Sequence, residues 1–249
     1  MKKVSILLAL LSFVMFLQPK TSHAQLNISL GPSIGLTTPV SDFGGNPSDY
    51  YAGTKYGLKS SINFGAMGKL GLGPINFNLS ILYTPMSNSG VAEPNKSNSN
   101  ADISMHLLTI GIGSDFGFGV PLSPVRPYIG FDLLFSSIGG SVTFRGTGNV
   151  SSNTSIDMSS ASRTGLGFAG GVQIKLMSIK LDLSLRYNFI NLFSKSYDGS
   201  ATGDRIEAYK FLNDAKDPNY STASNDKHPI GSNRTIATFQ IQLGIMFGL

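Results

Sequence analysis

The sequence predicts an all-β chain that folds as an eight-stranded antiparallel up-and-down transmembrane β-barrel. Three observations predict this fold. Eight segments alternate apolar and polar residues with a period of two, the connections between them are alternately short and long, and one of the two phases carries no charge. Only 13% of the 249 residues are charged, which is about half the fraction usual in soluble proteins.

The eight alternating segments have the pattern of strands with one apolar face. In the fourth of them, the phase slips upstream of Leu108, because Ile103, Met105 and Leu107 are out of register with it. We expect a β-bulge near the rim to account for the slip. The eight segments cover residues 26–37, 58–70, 75–84, 108–118, 128–136, 165–176, 179–189 and 238–249.

The connections predict which end of each strand faces which compartment. An even number of strands places both chain termini on the side of the short turns, which is the periplasm, so that the long loops are extracellular. The segment 147–163 is rich in Ser, Thr and Asn, and we expect it to be a mobile loop. The short turns are 71–74, 119–126 and 177–178, and the long loops are 41–57, 86–101, 139–163 and 194–234.

The charged residues decide between a membrane barrel and a soluble, lipocalin-like barrel with inverted faces. A lysine or arginine facing lipid at mid-depth costs about 2–4 kcal/mol, and the apolar phase contains no charged residue. The polar phase therefore faces the lumen, where we expect a bridged charge network with Asp132 and Asp182 at its centre, Arg186 as donor and the surplus lysines near an open end. The network comprises Lys59, Lys69, Asp115, Asp132, Lys175, Lys180, Asp182 and Arg186.

The first 24 residues have the pattern of a secretory signal peptide, and residues 25–249 form the predicted barrel domain. Lys2 and Lys3 precede an apolar stretch, 4–17, which is too short to span a bilayer, and a small-residue cleavage site ends at Ala24. Cleavage removes three lysines and no acid, so the net charge falls from +5 to +2. The mature chain has no basic stripe interleaved with aromatic residues, and we expect no nucleic-acid partner.

Two motifs resemble those of bacterial outer-membrane barrels. The last strand, with Gln242, Gly244, Phe247 and Leu249, is similar to the C-terminal assembly signal, although the family often ends in Phe, and Arg126-Pro127-Tyr128-Ile129-Gly130 is similar to the opening of a porin-like strand. The mature chain thus resembles the small outer-membrane β-barrel family of OmpA-transmembrane-like, OmpX-like and OmpW-like proteins, of the Bacteroidota type. The resemblance implies a Gram-negative outer-membrane location. The implied partners are the barrel-assembly machinery, periplasmic chaperones, outer-membrane lipid and lipopolysaccharide.

Chemically active sites have little support in the sequence. Without cysteine there is no thiolate metal site, thiol nucleophile or lipoprotein anchor, and we expect no cofactor and no metal. At the outer end of strand four, Ser104 and His106 are a candidate pair, but the sequence places no acid beside them, and His228 lies in the last loop. The last loop is expected to be solvated, because its acids lack calcium-loop spacing and adjacent basic residues offset them. These acids are Asp198, Asp204, Glu207, Asp214, Asp217 and Asp226.

Three functions are consistent with the sequence. The first is a non-enzymatic barrel with a structural or surface-interaction role through its extracellular loops. The second is a narrow passive channel for small solutes, and the third is a lipid-modifying enzyme with a site at the rim. The lumen discriminates the first two, because inward glycines leave space, whereas paired inward charges fill it.

Overall fold

A computed structural model describes residues 27–119, 123–148, 154–198, 208–220 and 230–248. Its eight strands form one closed barrel in which each strand pairs antiparallel with the next and β1 pairs with β8, so the predicted fold is confirmed. A short helix, α1 (Pro47–Tyr51), follows β1. The strands are β1 (Asn27–Ser41), β2 (Ser61–Leu72), β3 (Ile75–Val91), β4 (Asn100–Gly117), β5 (Val125–Arg145), β6 (Thr154–Leu176), β7 (Ile179–Phe189) and β8 (Ile236–Gly248).

The signal peptide predicted for residues 1–24 lies outside the described residues, as does Leu249. Among the helical residues that are described, none belongs to a helix of the length and apolarity that a bilayer crossing requires.

The apolar phase of each strand faces outward, as predicted. On β3, the side chains of Phe77, Leu79 and Ile81 are exposed, while the alternate residues Asn76 and Ser80 are buried in the lumen. An apolar exterior with a polar interior is the inverse of a soluble protein, and it is stable only if lipid surrounds the barrel. The outward apolar band ends, toward the long loops, at Tyr83, Leu108, Phe135 and Leu166 on the four strands β3 to β6.

Above this band the apolar residues face inward and the polar residues face outward. The prediction of a β-bulge on β4 is wrong. Strand β4 pairs residue by residue with β5 from Asn100 to Gly117 without a shift, and Ile103, Met105 and Leu107 point inward, at most 2% exposed. The slip of phase in the sequence therefore reflects a change in the solvent that surrounds the barrel. Water replaces lipid outside the barrel at this height, so the apolar residues move to the inside.

The only register shift along the described β5–β6 pair lies where Gly139 faces two residues of β6, Ser159 and Ser160. A β-bulge of this kind inserts an extra residue, which bends the strand and redirects its side chains.

Strands β3 to β6 rise far above the apolar band and form what we call the tall wall, residues 84–91, 100–107, 136–145 and 154–165. Much of the sequence predicted as the long loops 86–101 and 139–163 is therefore strand, and the segment expected to be a mobile loop is part of β6 from residue 154 onward. Eight residues of β3 above Tyr83 correspond to a height of roughly 20 Å at the usual strand rise and tilt.

The loop 42–60 and the described parts of the loop 190–235, residues 190–198, 208–220 and 230–235, fold over the inner face of the tall wall. The first loop contains α1, whose N-terminus is closed by a capping box in which Asp49 accepts a hydrogen bond from the amide of Asn46 at 2.9 Å. Aromatic side chains of both loops fill the space inside the wall, so that the upper barrel has an apolar core. Its larger members include Phe43, Tyr50, Tyr51, Tyr56, Met86, Ile103, Met105, Leu107, Ile138, Val142, Phe144, Ile156, Tyr209 and Leu212.

The boundary of the apolar band can be tested on one strand. We expect Leu79→Arg to destabilise the inserted barrel by about 2–4 kcal/mol, because the cation faces lipid. Ser87→Arg has the same outward orientation eight residues higher, where it faces water, and should change the stability little. Urea unfolding in phospholipid vesicles measures both. Equal losses for the two variants would contradict the assigned height of the membrane.

Candidate functional site

A buried lysine links two carboxylates across the lumen near the periplasmic end. Lys69 on β2 places its Nζ 2.8 Å from Asp115 Oδ2 on β4 and 2.7 Å from Asp182 Oδ2 on β7, and all three side chains are almost completely buried. Asn76 donates to the second oxygen of Asp115 at 2.5 Å. The pair with Asp115 bridges the single intervening strand β3, whereas β2 and β7 are separated by two strands, so the pair with Asp182 crosses the interior.

Neutral groups complete the surroundings of this lysine. Tyr128 donates its hydroxyl proton to Asp182 Oδ1 at 2.6 Å, and Gln173 donates to Oδ2 of the same carboxylate at 3.1 Å. The Nζ of Lys69 also lies 4.0 Å from the centre of the Tyr128 ring, in a cation–π contact. Both oxygens of the buried carboxylate thus have donors, which a buried ion pair requires to offset its desolvation.

A second ion pair lies inside the lumen closer to the extracellular side, on the inner surface of β6. The guanidinium of Arg186 on β7 donates to Asp132 Oδ2 on β5, across the intervening strand β6. Gly113 makes room for the carboxylate, because a Cβ atom there would lie 2.5 Å from Asp132 Oδ1 and 2.0 Å from a backbone oxygen. Any side chain at position 113 would therefore displace this pair.

The structure brings together five of the eight predicted network residues, and three lie elsewhere. Lys59 precedes β2 and is exposed, Lys175 is exposed at the periplasmic mouth, and Lys180 donates to Asn27 Oδ1 at 2.6 Å. The sequence analysis did not identify Tyr128 and Arg126 as lumen residues that bind other polar groups. Arg126 donates a hydrogen bond to Pro74 O at 2.7 Å. Both occupy the inward phase of β5, so a search of that phase for large polar side chains would have found them.

Three of the four residues of the predicted assembly signal lie within the described barrel. Gln242 and Gly244 point into the lumen, and Phe247 is a half-exposed, outward-facing residue paired with Ile179.

The last extracellular loop is held by a buried ion pair. Arg163 on β6 forms a bidentate ion pair with Asp214, in which its Nε and one terminal nitrogen each lie 2.7 Å from a carboxylate oxygen. Asn191 and the amide of Ser196 donate to the same carboxylate at 2.7 and 2.8 Å. The expectation that the acids of this loop are solvated is therefore wrong for Asp214, and also for Asp217, since both are fully buried. Asp204, Glu207 and Asp226, like His228, lie outside the described residues.

The two extracellular loops also bind each other. Tyr56 of the first loop donates its hydroxyl to Leu212 O of the last loop at 2.6 Å, and Arg234 stacks its guanidinium 4.0 Å from the centre of the Tyr56 ring. Burial raises the pKa of the Tyr56 hydroxyl well above its usual range, so the hydroxyl remains protonated and able to donate. Tyr209 adds a second link, from its hydroxyl to Tyr51 O at 2.8 Å.

The rim pair suggested by the sequence does not form a catalytic arrangement. Ser104 and His106 both face outward on β4, but no hydrogen bond joins them. The imidazole instead lies nearly parallel to the Tyr83 ring at 6.2 Å, and the neighbouring Asp102 is bound to Arg145. Over the described ranges, no three His, Cys, Asp or Glu side chains are grouped so that they could hold a metal ion.

Comparison with known proteins agrees with this architecture. A family model described as the outer membrane protein β-barrel domain matches residues 6–222, which is most of the chain. Among solved structures, Neisserial surface protein A is 15% identical, with a TM-score of 0.49, and the alignment covers 88% of this chain and 96% of that one. No curated protein sequence matches.

Two further solved structures are similar at lower scores. The N-terminal β-barrel domain of Pseudomonas aeruginosa OprF is 11% identical with a TM-score of 0.40, over 91% of this chain and all of that one. The attachment invasion locus protein Ail of Yersinia pestis is 13% identical with a TM-score of 0.38, over the same shares of the two chains.

The central lysine can be tested by a double-mutant cycle. Lys69→Met should destabilise the barrel by about 3–5 kcal/mol, because it leaves two carboxylates buried without their cation. Adding Asp182→Asn to that variant should recover part of the loss, since it removes one uncompensated charge. Urea unfolding of the single and double variants gives the coupling energy, with exposed Lys175→Met as the control. Additive effects of the two substitutions would contradict the cross-lumen pair.

Proposed function

The chain belongs to the outer membrane protein β-barrel family, and we propose that it is a closed, non-enzymatic barrel that serves envelope structure and surface interaction through its extracellular part. The observation that carries this proposal is the filling of the interior at two separate levels. Buried ion pairs occupy the lumen within the membrane, one of them reaching across it from Lys69 to Asp182, and an apolar core occupies the barrel above it. A passive channel needs a continuous water path, which neither level favours.

The extracellular part supports a role in surface interaction. Buried hydrogen bonds join the described parts of the loops 42–60 and 190–235 to each other, and the Arg163–Asp214 ion pair joins the last loop to β6, so that these parts form one packed body with the tall wall. Binding surfaces lose less conformational entropy when they are preorganised in this way. A simple pore does not require a packed extracellular body, whereas a protein that binds partners through its extracellular surface does.

A channel remains the second candidate because of one feature of the lumen. Several side-chain atoms of the middle lumen have no protein hydrogen-bond partner, although they are buried. They include Asn63 Oδ1, Ser184 Oγ, Gln240 Oε1, and both Oε1 and Nε2 of Gln242. Buried groups of this kind are commonly paired with internal water, which would provide part of a hydrated path.

Conductance distinguishes the two functions. In planar bilayers, the unmodified protein should show almost no steady conductance, because both levels are blocked. Arg186→Ala weakens the lower block and Arg163→Ala releases the last loop, so the double variant should open more often than either single variant. Lys175→Ala is the control, since this exposed side chain belongs to neither block. Steady conductance of the unmodified protein would favour the channel.

Export and assembly follow from the same proposal. Residues 1–24 direct secretion as a signal peptide, periplasmic chaperones carry the unfolded chain, and the barrel-assembly machinery reads Gln242, Gly244, Phe247 and Leu249. Once inserted, the barrel contacts outer-membrane lipid and lipopolysaccharide. Support comes from the apolar exterior and from the place of Phe247 on the outer surface of the last strand.

A matched pair of substitutions distinguishes a role of Phe247 in the assembly signal from a role in lipid contact alone. Phe247 and Phe118 are both about half-exposed at the periplasmic rim, at 50% and 49%. Phe247→Ala should lower the folded fraction in cells several-fold, while Phe118→Ala, which loses a similar lipid contact, should not. Heat-modifiable migration on gels measures the folded fraction. If both variants fold equally well in cells, Phe247 is only a lipid-facing residue.

A further inference from the structure

We propose that Met177, at the tip of the turn between β6 and β7, is a reversible oxidation site that reacts preferentially with anionic peroxides. Its thioether becomes a sulfoxide while the barrel stays folded, and a dithiol-dependent sulfoxide reductase restores it. This inference goes beyond the proposed function, because it concerns the side of the short turns and is independent of whether the lumen conducts.

Met177 differs from every other methionine of residues 25–249 in its exposure. It is 96% exposed, whereas the other five are at most 6% exposed and lie in the lumen or in the apolar core of the upper barrel. Oxidants in solution reach a thioether only where it is accessible, and a sulfoxide in a core disrupts the packing. The fold therefore directs oxidation to one position. The five buried methionines are Met67, Met86, Met105, Met158 and Met246.

The geometry of the turn does not account for a methionine at this position. Met177 and Ser178 form the two-residue connection between the strands, and the φ angle of Met177 is 53°. This left-handed conformation favours glycine or asparagine, so a methionine there is strained. The side chain gains little from packing, because almost all of it is exposed. A strained residue of this kind points to a use of its side chain.

Cations lie on both sides of the turn. Lys175 and Lys180 are directly opposite each other in the β6–β7 ladder, although opposed like charges are destabilising. Pro124, two residues before Arg126, accepts a hydrogen bond from the amide of Lys175 at 2.8 Å, so a third cation lies on the neighbouring strand at the same end. The sequences of the three short turns contain no Asp or Glu. This side of the barrel therefore attracts anions.

The two acids at this end of the lumen do not neutralise these cations. Asp115 and Asp182 are buried, and both bind Lys69. Lys180 donates to the neutral side chain of Asn27 at 2.6 Å, and Lys175 is exposed. The positive charge around Met177 thus raises the local concentration of anions, and most strongly at low ionic strength.

The reaction is a two-electron oxygen transfer. The thioether sulfur attacks the terminal oxygen of the peroxide, an S–O bond forms as the O–O bond breaks, and the hydroxyl proton moves to the leaving oxyanion. Sulfur is oxidised and the peroxide is reduced, for example from peroxymonosulfate to hydrogen sulfate. In the reverse step the sulfoxide oxygen leaves as water, while a dithiol is oxidised to a disulfide.

Two peroxides of different charge test the assignment. The barrel in uncharged detergent micelles is treated with limiting peroxymonosulfate, which is an anion, or with neutral hydrogen peroxide, and peptide mass spectrometry measures the oxidation of each methionine. With both reagents, Met177 should be oxidised at least about tenfold faster than the buried methionines, because only its sulfur is accessible. In concentrated urea, all of them should be oxidised at similar rates.

A charge-matched pair of variants tests the role of the cations. Lys175→Gln with Lys180→Gln should slow the oxidation of Met177 by peroxymonosulfate about threefold at low ionic strength, and should not change its oxidation by hydrogen peroxide. Lys59→Gln with Lys195→Gln removes the same charge from the side of the long loops and should change neither rate. Heat-modifiable migration verifies that both double variants fold.

Reversibility is measured on the folded, oxidised barrel. Its heat-modifiable migration should equal that of the unoxidised protein, because the oxidised side chain lies outside the packed interior. Dithiothreitol and the two epimer-specific methionine sulfoxide reductases should return Met177 to the thioether without unfolding. Met177→Leu should fold equally well and lose the fast phase of oxidation.

Four results would overturn the inference. They are oxidation of Met177 no faster than that of the buried methionines, equal peroxymonosulfate rates in the two double variants, loss of the folded state on oxidation, and a sulfoxide that the reductases do not reduce. None of these results depends on conductance, so failure of this inference and failure of the closed-barrel proposal are distinguishable.

Discussion

A change of solvent along the outside of the barrel governs how its two faces are composed and how its interior is filled. In the lower part, lipid surrounds the strands, and outward side chains such as Leu79 must be apolar because no water is present to solvate polar ones. In the upper part, water surrounds the same strands, and the apolar side chains, such as Met105, are inside. One continuous strand, β4, passes through both environments without a break in its pairing.

The polar interior of the lower part follows from this change of solvent. So does the free-energy cost of removing its charged groups from water. Charges enclosed by a barrel wall that lipid surrounds are stable only in pairs with further hydrogen bonds. The lumen meets this condition at Lys69, which joins Asp115 and Asp182, whereas at the Arg186–Asp132 pair the second carboxylate oxygen of Asp132 has no protein partner. Glycines such as Gly113 are required where a carboxylate lies against the wall. Pairing across the barrel also fills the lumen, so that the same interactions that stabilise it oppose conduction.

The apolar interior of the upper part explains why the long loops are ordered where the structure describes them. Four tall strands make an open sheet with an apolar inner face, which must be covered. The aromatic residues of the two loops provide the cover, and the buried polar contacts of Arg163 and Tyr56 hold the loops in place. The outer face of the wall is then free to carry polar groups, because the packing of the wall does not depend on them.

The number of strands, their outward phase and the sides of the short and long connections can be read from the sequence, since period-two alternation and the absence of charge from one phase depend only on which side chains face lipid. Five of the eight charges that the sequence assigns to the lumen face the interior, but the sequence does not show which of them meet. The pairing of Lys69 with Asp182 depends on the curvature that brings β2 and β7 within reach, and the place of Asp214 depends on a loop that folds back on β6. The inversion above Leu108 appears in the sequence only as a slip of phase, because a bulge and a change of solvent leave the same local pattern, and only the pairing of β4 with its neighbours decides between them.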